Sequence, residues 1–437
     1  MRLQVVESNH VQHIIEGIDK LYEHMIKNAR IDASEMKAFM EPYFLESGYR
    51  EESSKLKGKA KSQANNILIM HDAGVGDFIL MSAVIREIRR IYPKTYIMLL
   101  INRFAADMAE CCPYVDEVIT CKDEVLTKIN QFFQYYKNIA DIVKLVLRHK
   151  IDIAFNFGHY PSSQLLAYFS GAKERVDLGF MNQDFSFDEL STCQVDWRDF
   201  KKSHYNDRFL YILHKYTKSQ IANKSLEIWL NPIDRTAALE SVQKAGSKKL
   251  YAIVPGGNLK LSRKRWSAKY YAELMNMILH EEEAVFALFG GIEDVEASQV
   301  IQSSVDSDCI LDFIDKLNYR QSAAVLNLCD RYIGNDTGLL HAAAALKIPI
   351  LTPNCFPADK QMTVSSLPAL YYPYDVPAVI VQPKQVLPEC KDVINSSGCN
   401  SDKPHCINQI TPATMFEGLK ILNKQIAKNL KEPFFYS

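Results

Sequence analysis

The sequence predicts an α/β protein with two doubly wound parallel sheets and an extra helical segment at its N-terminus. From Asn65 onward, short and continuously apolar runs alternate with helical patterns, which is typical of parallel strands covered on both faces. The rhythm restarts after a break around residues 181–224, so it occurs twice. A chain of 437 residues, 47% of them hydrophobic, is also too long for one ordinary core.

The N-terminal segment, residues 1–64, differs from the rest of the chain. Val11, Ile14 and Ile18 recur at helical spacing, and the polar, lysine-rich residues 51–64 are interpreted as a linker. Two interpretations stay open for this segment. It is either a small helical bundle packed on the body of the protein, or an element for oligomerisation or partner docking.

The strand candidates fall into two series, one on each side of the break. The first series comprises Asn66–Met70, Tyr96–Ile101, Val115–Thr120 and Ile151–Phe157. The second comprises Leu250–Pro255, Ala284–Phe289, Cys309–Phe313, Arg331–Gly334 and Pro349–Pro353. A helix is predicted over Phe78–Tyr92 from its apolar spacing, and an amphipathic helix over Thr411–Leu430, where Thr411-Pro412 is a favourable start.

Composition limits the classes of partner. Lys and Arg total 51 against 52 Asp and Glu, a formal charge of −1, so no bulk basic character indicates a nucleic-acid partner. The N-terminus has no apolar stretch of signal-peptide length, and apolar runs such as Ile67–Met70 are far too short to cross a bilayer. We therefore expect a cytoplasmic protein without a transmembrane segment, and leave peripheral association with the inner membrane open.

The first chemical motif, His71 to Asp77, follows the first predicted strand. Gly74 and Gly76 at a strand-to-helix turn allow the backbone to approach a ligand closely, at the sheet edge where open α/β proteins bind ligands. Asp77 could there accept the proton of an attacking sugar hydroxyl as a general base, or it could simply cap the helix. The glycines do not fit the GxGxxG pattern, which disfavours a nicotinamide cofactor.

The second motif follows the first strand of the second series. Gly256 and Gly257 turn the chain, and Ser262 precedes three consecutive cations, Arg263-Lys264-Arg265. Cations beside a strand-end turn could neutralise a diphosphate leaving group, with Lys264 as the main candidate. The alternative is a solvated basic loop.

The third motif runs from Gly334 to His341. Asp336 and Thr337 fall at the carboxyl end of a predicted strand, and the backbone amides from Thr337 onward begin a helix, which is a ready site for an anion. His341 is interpreted either as a core histidine or as an orienting group.

Together these motifs resemble glycosyltransferase family 9, the ADP-heptose:lipopolysaccharide heptosyltransferase family. The resemblance rests on Gly76-Asp77, on Pro255-Gly256 with Lys264-Arg265-Trp266, and on Gly334-Asn335-Asp336-Thr337-Gly338 followed by His341 and an alanine-rich helix. It spans roughly residues 66–422 and keeps the motifs in order.

The resemblance implies a GT-B fold, two Rossmann-like domains facing across a cleft. Residues 65–230 would bind the acceptor, residues 231–410 the nucleotide-sugar, and the helix of residues 411–437 would cross back to the first domain. It further implies inverting transfer without an obligatory metal, with Asp77 as base. The implied donor site comprises Gly256, Gly257, Ser262, Lys264, Asp336, Thr337, Gly338 and His341, and the implied acceptor-side loop comprises His71, Gly74 and Gly76.

Two positions depart from the family pattern. His71 stands where many members have Arg, and residues 158–163 replace a segment that usually offers Arg or Lys. Both changes remove positive charge from the side expected to meet an anionic acceptor.

Three functions follow as hypotheses. The first is transfer of a sugar, with heptose from ADP-heptose favoured, to a saccharide or lipid-linked acceptor of the bacterial envelope. The second is transfer to protein hydroxyls, such as those of an autotransporter adhesin. The third is a catalytically silent GT-B scaffold, which the joint presence of Asp77, Lys264 and Asp336 argues against.

The ten cysteines leave one metal question open. Cys390, Cys399 and Cys406 cluster near the C-terminus, and with His405 or Cys355 they could form a tetrahedral structural zinc or iron site. No CxxC pair is present, so free thiols in a reducing compartment are the alternative.

Overall fold

The computed structural model describes most of the chain and divides it into two compact units. The described residues are 8–28, 33–48, 64–71, 74–121, 136–158, 161–178, 190–195, 203–257, 263–358, 368–387, 394–395, 398–399 and 406–437. Unit 1 comprises Met1–Phe200 and Asn206–Lys224, and unit 2 comprises Lys201–Tyr205 and Ser225–Ser437. Among the described residues no helix has the length and apolarity that a membrane crossing needs.

Unit 1 contains a six-stranded parallel sheet. Its strands are β1 (Asn66–His71), β2 (Tyr96–Asn102), β3 (Glu117–Cys121), β4 (Ile153–Asn156), β5 (Glu174–Leu178) and β6 (Cys193–Val195), in the order β3-β2-β1-β4-β5-β6. Its helices are α1 (Ser8–Asn28), α2 (Ala33–Glu46), α3 (Val75–Leu80), α4 (Ser82–Ile91), α5 (Ala106–Ala109), α6 (Tyr136–Leu147), α7 (Pro161–Phe169) and α8 (Tyr205–Thr217). The apolar runs that predict β1 to β4 are therefore strands. The sequence does not predict β5 and β6, which the structure adds to the sheet.

The single helix predicted over Phe78–Tyr92 is in fact two, α3 and α4, which meet at Met81. The Met81 amide is shared between the carbonyls of Asp77 and Phe78. The Ser82 hydroxyl donates to the Ile79 carbonyl at 2.7 Å and tightens the turn. A serine hydroxyl that competes for helix carbonyls in this way commonly bends a helix.

The N-terminal helices pack on the body of unit 1. Val11, Ile14 and Ile18 of α1 are buried in one apolar cluster with residues of α6 and α7. Gly17 of α1 allows α1 and α2 to cross closely, because a Cβ there would lie 2.6 Å from the Tyr43 ring of α2. The packed-bundle interpretation of this segment describes the structure, and a partner-docking role stays a prediction.

Unit 2 contains a seven-stranded parallel sheet. Its strands are β7 (Lys249–Val254), β8 (Ala284–Leu288), β9 (Ile310–Asp312), β10 (Arg331–Gly334), β11 (Ile350–Pro353), β12 (Ala378–Val381) and β15 (Phe434–Tyr436), in the order β15-β12-β11-β10-β7-β8-β9. A separate antiparallel pair joins β13 (Ile394–Asn395) to β14 (Gly398–Cys399). The helices are α9 (Pro232–Ser241), α10 (Ala268–Glu281), α11 (Val295–Gln302), α12 (Tyr319–Leu326), α13 (Gly338–Ala345), α14 (Pro368–Tyr371) and α15 (Pro412–Ala427).

The C-terminal helix α15 packs on the sheet of unit 2. Thr411 caps it, and Met415, Leu419 and Leu422 are buried in the core of that unit. Gly418 allows close contact, since a Cβ there would lie 2.9 Å from Leu351. The apolar face of the helix is covered by strands of unit 2, and the predicted crossing to the first domain stays a prediction.

Both sheets share one topology. The first strand of each unit, β1 or β7, lies between the second and the fourth, so the strand order reverses at β1/β4 and at β7/β10. Ligands of open α/β sheets bind outside the carboxyl ends of the strands at such switch points. The prediction of an α/β protein with two parallel sheets is confirmed, and its three motifs follow β1, β7 and β10.

Candidate functional site

The second and third motifs meet at the switch point of unit 2. β7 pairs with β10 in parallel, with Val254 opposite Gly334, so the segments that follow these strands leave the same edge side by side. Residues 255–257 follow β7, and residues 335–337 follow β10. The register of the sheet therefore joins motifs that are about eighty residues apart in sequence.

Lys264 and Asp336, both predicted donor-site residues, form an ion pair at this edge. The Lys264 Nζ lies 2.7 Å from Asp336 Oδ2, with 27% and 21% of the side chains exposed. Burial disfavours the charged form of Asp336, but nearby Lys264 and His341 outweigh it and hold the pKa of Asp336 below its ordinary value. Burial likewise disfavours charge on Lys264, but Asp336 outweighs it and raises its pKa. The pair is therefore ionised at neutral pH.

Asn335, which sequence reasoning did not place in the site, connects the two segments. Its Nδ2 donates to the carbonyls of Pro255 at 2.7 Å and Gly256 at 3.1 Å. Its Oδ1 accepts from the Trp266 amide at 3.1 Å and the Tyr271 hydroxyl at 2.9 Å. The side chain is 1% exposed, so these bonds replace water and fix the relative positions of the loops.

The glycines of the second motif are required by close contacts. A Cβ on Gly256 would lie 2.0 Å from the carboxylate of Asp294, and Gly257 adopts a φ of 140° that side chains other than hydrogen rarely allow. Arg265 Nη1 donates to the Gly257 carbonyl at 2.6 Å, and Arg265 Nη2 lies 2.7 Å from Asp294 Oδ1. Arg265 and Asp294 thus hold the glycine turn in place.

The third motif places a helix start at the same edge. Thr337 is the N-cap of α13, but its side chain makes no capping hydrogen bond, and Gly338 is the first helical residue. Amides at such a helix start can bind an anion. His341 is 5% exposed, as the core interpretation predicts, and it also lies close enough to stabilise the Asp336 carboxylate.

The described residues include only some of the candidate metal ligands. Cys390, His405 and the side chain of Cys399 lie outside the described residues, and so does Ser262 of the predicted donor site. Burial raises the pKa of Cys355 to about 11, against the opposing effect of Lys264, so its thiol is protonated at neutral pH. Within the described residues no group of His, Cys, Asp and Glu could hold a metal ion, and the zinc or iron site stays a prediction.

The first motif lies at the switch point of unit 1. Gly74 is exposed and is the N-cap of α3, so Asp77 lies in the first turn of this helix. Asp77 and Gly76 are half-buried, and Asp77 Oδ2 is 3.9 Å from the Cβ position of Gly74. His71 is the last residue of β1, not a loop residue; its buried ring packs edge-to-face on Phe209 at 5.8 Å.

A buried polar cluster lies beside this motif. Asn156, at the end of β4, donates to Asp177 Oδ2 at 3.1 Å and accepts from the Gly158 amide at 3.0 Å. The Ser191 hydroxyl donates to the same Asp177 oxygen at 3.3 Å. Sequence reasoning missed this cluster, because the partners come from separate elements.

Comparison with known proteins agrees with this arrangement. Residues 141–353 match the model of glycosyltransferase family 9 (heptosyltransferase). The chain is 21% identical to lipooligosaccharide heptosyltransferase 2 of Haemophilus influenzae over 296 residues, 65% of this chain and 82% of that protein. It is 32% identical to lipopolysaccharide heptosyltransferase 2 of Salmonella typhimurium over 91 residues, 20% of this chain and 26% of that protein.

Two solved structures share the fold. A family 9 glycosyl transferase from Veillonella parvula has a TM-score of 0.65 at 19% identity, covering 83% of this chain and 98% of its own. ADP-heptose heptosyltransferase II of Escherichia coli has a TM-score of 0.63 at 17% identity, covering 83% and 99%. The predicted GT-B class, with two parallel-sheet α/β domains, is thereby confirmed.

Proposed function

This chain is a glycosyltransferase of family 9, and we propose that it transfers a sugar from a nucleotide-diphosphate donor to a hydroxyl group, with inversion and with Asp77 as the general base. The observation that carries the proposal is the convergence of two motifs at one switch point. Lys264 and Asp336 are paired at 2.7 Å beside the start of α13. That combination suits a diphosphate leaving group.

The proposed donor is ADP-heptose. The two curated relatives described above are named as heptosyltransferases, and one neighbouring structure is named for ADP-heptose. These names are the support for the base and the sugar, because the described contacts bear on the phosphates alone. Residues 256, 257, 262, 264, 336, 337, 338 and 341 would form the donor site.

The proposed chemistry assigns one proton and one leaving group. Asp77 accepts the proton of the acceptor hydroxyl while the oxygen of that hydroxyl forms a bond to the anomeric carbon. The bond from that carbon to the diphosphate oxygen breaks, and the diphosphate leaves with the electron pair. Lys264 and the amides at the start of α13 stabilise the charge that develops on the leaving group.

The proposed acceptor is a saccharide of the bacterial envelope, and a protein hydroxyl is the second candidate. The observation that favours the second is the burial of His71 against Phe209 at the acceptor-side strand end. A buried imidazole offers an anionic lipid-linked saccharide no exposed cation at that position.

The experiment is a transfer assay with radiolabelled ADP-heptose, ADP-glucose, GDP-mannose and UDP-glucose, each with an envelope lipid extract or a cytosolic protein fraction. We expect label in the lipid fraction with ADP-heptose. The Asp77→Asn variant should lower turnover by about 10²–10⁴-fold and keep its ADP affinity. Label in protein would select the second acceptor. Unchanged turnover in Asp77→Asn would refute the general-base role.

A further inference from the structure

The three consecutive cations of unit 2 differ in their partners. Lys264 is paired with Asp336 at 2.7 Å, and Arg265 is paired with Asp294 at 2.7 Å. Arg263 has neither a carboxylate nor a hydrogen-bond acceptor among the described residues, although its Nε is fully buried. A buried donor without a partner is rare in folded proteins and costly when it occurs.

The location of Arg263 is fixed by its neighbours. It precedes Lys264 directly, and its charge acts on both Lys264 and Cys355. Cys355 follows β11, the strand beside β10, so the guanidinium stands at the same sheet edge as the ion pair. The start of α13, which carries no side-chain cap, lies at this edge too.

A charge balance shows what this position means for a ligand. Lys264 and Asp336 together carry no net charge, and neither do Arg265 and Asp294. Among the described residues of the second and third motifs, Arg263 is therefore the cation whose charge no carboxylate offsets. Within these two motifs, Arg263 is thus the cation that a diphosphate can meet without competing with an ion pair.

We propose that Arg263 binds the diphosphate of the nucleotide-sugar directly, by two guanidinium N–H groups, and that Lys264 alone does not account for diphosphate affinity. The inference rests on the proposed function, since it names a further residue for the same donor site. The planar guanidinium suits bidentate binding of phosphate oxygens.

The test is isothermal titration of the full chain with ADP and, separately, with adenosine. The variant is Arg263→Gln, and the matched control is Arg235→Gln, which removes the same charge from an exposed position on α9. We expect Arg263→Gln to weaken ADP about tenfold, the loss typical of a charged hydrogen bond. Adenosine affinity should not change, and the control should bind ADP like the unsubstituted chain.

The outcomes separate the inference from the proposed function. If the unsubstituted chain binds ADP and Arg263→Gln binds it equally well, the inference is refuted while the proposed function stands. If the unsubstituted chain binds none of ADP, GDP and UDP, both are refuted. If Arg263→Gln does not fold, Arg263→Lys is the second variant, and ADP affinity equal to that of the unsubstituted chain would refute the bidentate role.

Discussion

The two sheets have the same strand order, yet their switch points are built differently. In unit 2, Asn335 reaches back from β10 and binds the carbonyls of Pro255 and Gly256 after β7. In unit 1, the asparagine at the end of β4, Asn156, binds Asp177 on the next strand outward. One asparagine thus connects the two loops of its switch point, and the other supports a buried carboxylate.

The charges differ in the same way. The switch point of unit 2 has two ion pairs, Lys264–Asp336 and Arg265–Asp294, around its glycine turn. The corresponding position of unit 1 presents a half-buried carboxylate, Asp77, after an exposed glycine. The difference teaches that one topology can supply an anion-binding site in one unit, the loops after β7 and β10, and a potential proton acceptor in the other.

The largest effect on nucleotide affinity is expected from Lys264→Gln. The substitution removes a cation and leaves the Asp336 carboxylate without its 2.7 Å partner, so it would repel the diphosphate. We expect ADP affinity to fall by about 100-fold, within the range measured when one member of a desolvated charge pair is truncated. Lys269→Gln, an exposed lysine nearby on α10, is the control for isothermal titration. An equal loss of ADP affinity in both variants would mean that the effect comes from the net charge of the chain and not from the position of Lys264.

The asparagines give the next largest effect and sharpen the contrast. Asn335→Ala and Asn156→Ala should each lower the free energy of unfolding by about 1–3 kcal/mol, because each leaves buried polar groups without a partner. Only Asn335→Ala should also lower the affinity for ADP, by about tenfold, since Asn335 connects the two loops of the proposed anion-binding site. Urea unfolding and titration of both variants provide the measurement. Weaker ADP binding in Asn156→Ala alone would reverse the assignment of the two switch points.

The smallest effect is a pH dependence from Asp336. Burial disfavours its charged form, but Lys264 and His341 prevail, so the folded pKa lies below the ordinary value. An acid with a lowered folded pKa stabilises the protein above its unfolded pKa, about 3.9, and this contribution is lost as pH falls through the folded pKa.

Asp336→Asn should therefore be less stable than the unsubstituted chain at pH 6, by about 1 kcal/mol, and the difference should shrink on acidification toward pH 2. Thermal unfolding of both proteins across this range tests the prediction, with Asp308→Asn as control for an exposed pair. A difference that stays constant with pH would mean that Asp336 acts without its charge.

The sequence predicts those parts of the site whose signals are local. Glycines next to a strand end, with a carboxylate or a cation a few residues on, identify the loops after β1, β7 and β10. Asn335 stands within a quoted motif, but its partners Pro255 and Gly256 lie about eighty residues away. Such bonds follow from the strand order and not from spacing.

The missed strands have a similar cause. β5 carries Arg175 and Asp177 within its run, which disguises it as a surface segment. Both side chains are in fact buried, because Arg175 donates to the carbonyls of Leu190 and Ala172, and Asp177 accepts from Asn156. Burial of charged groups depends on partners from other elements, and a single strand pattern does not reveal them.

The most direct test of the central claim is hydrogen–deuterium exchange of the full chain with and without ADP. We expect ADP to slow exchange in peptides that contain residues 255–257, 263–266 and 336–340, at the β7/β10 switch point. Slower exchange confined to residues 74–80 of unit 1, with unit 2 unchanged, would contradict the assignment of the nucleotide to unit 2.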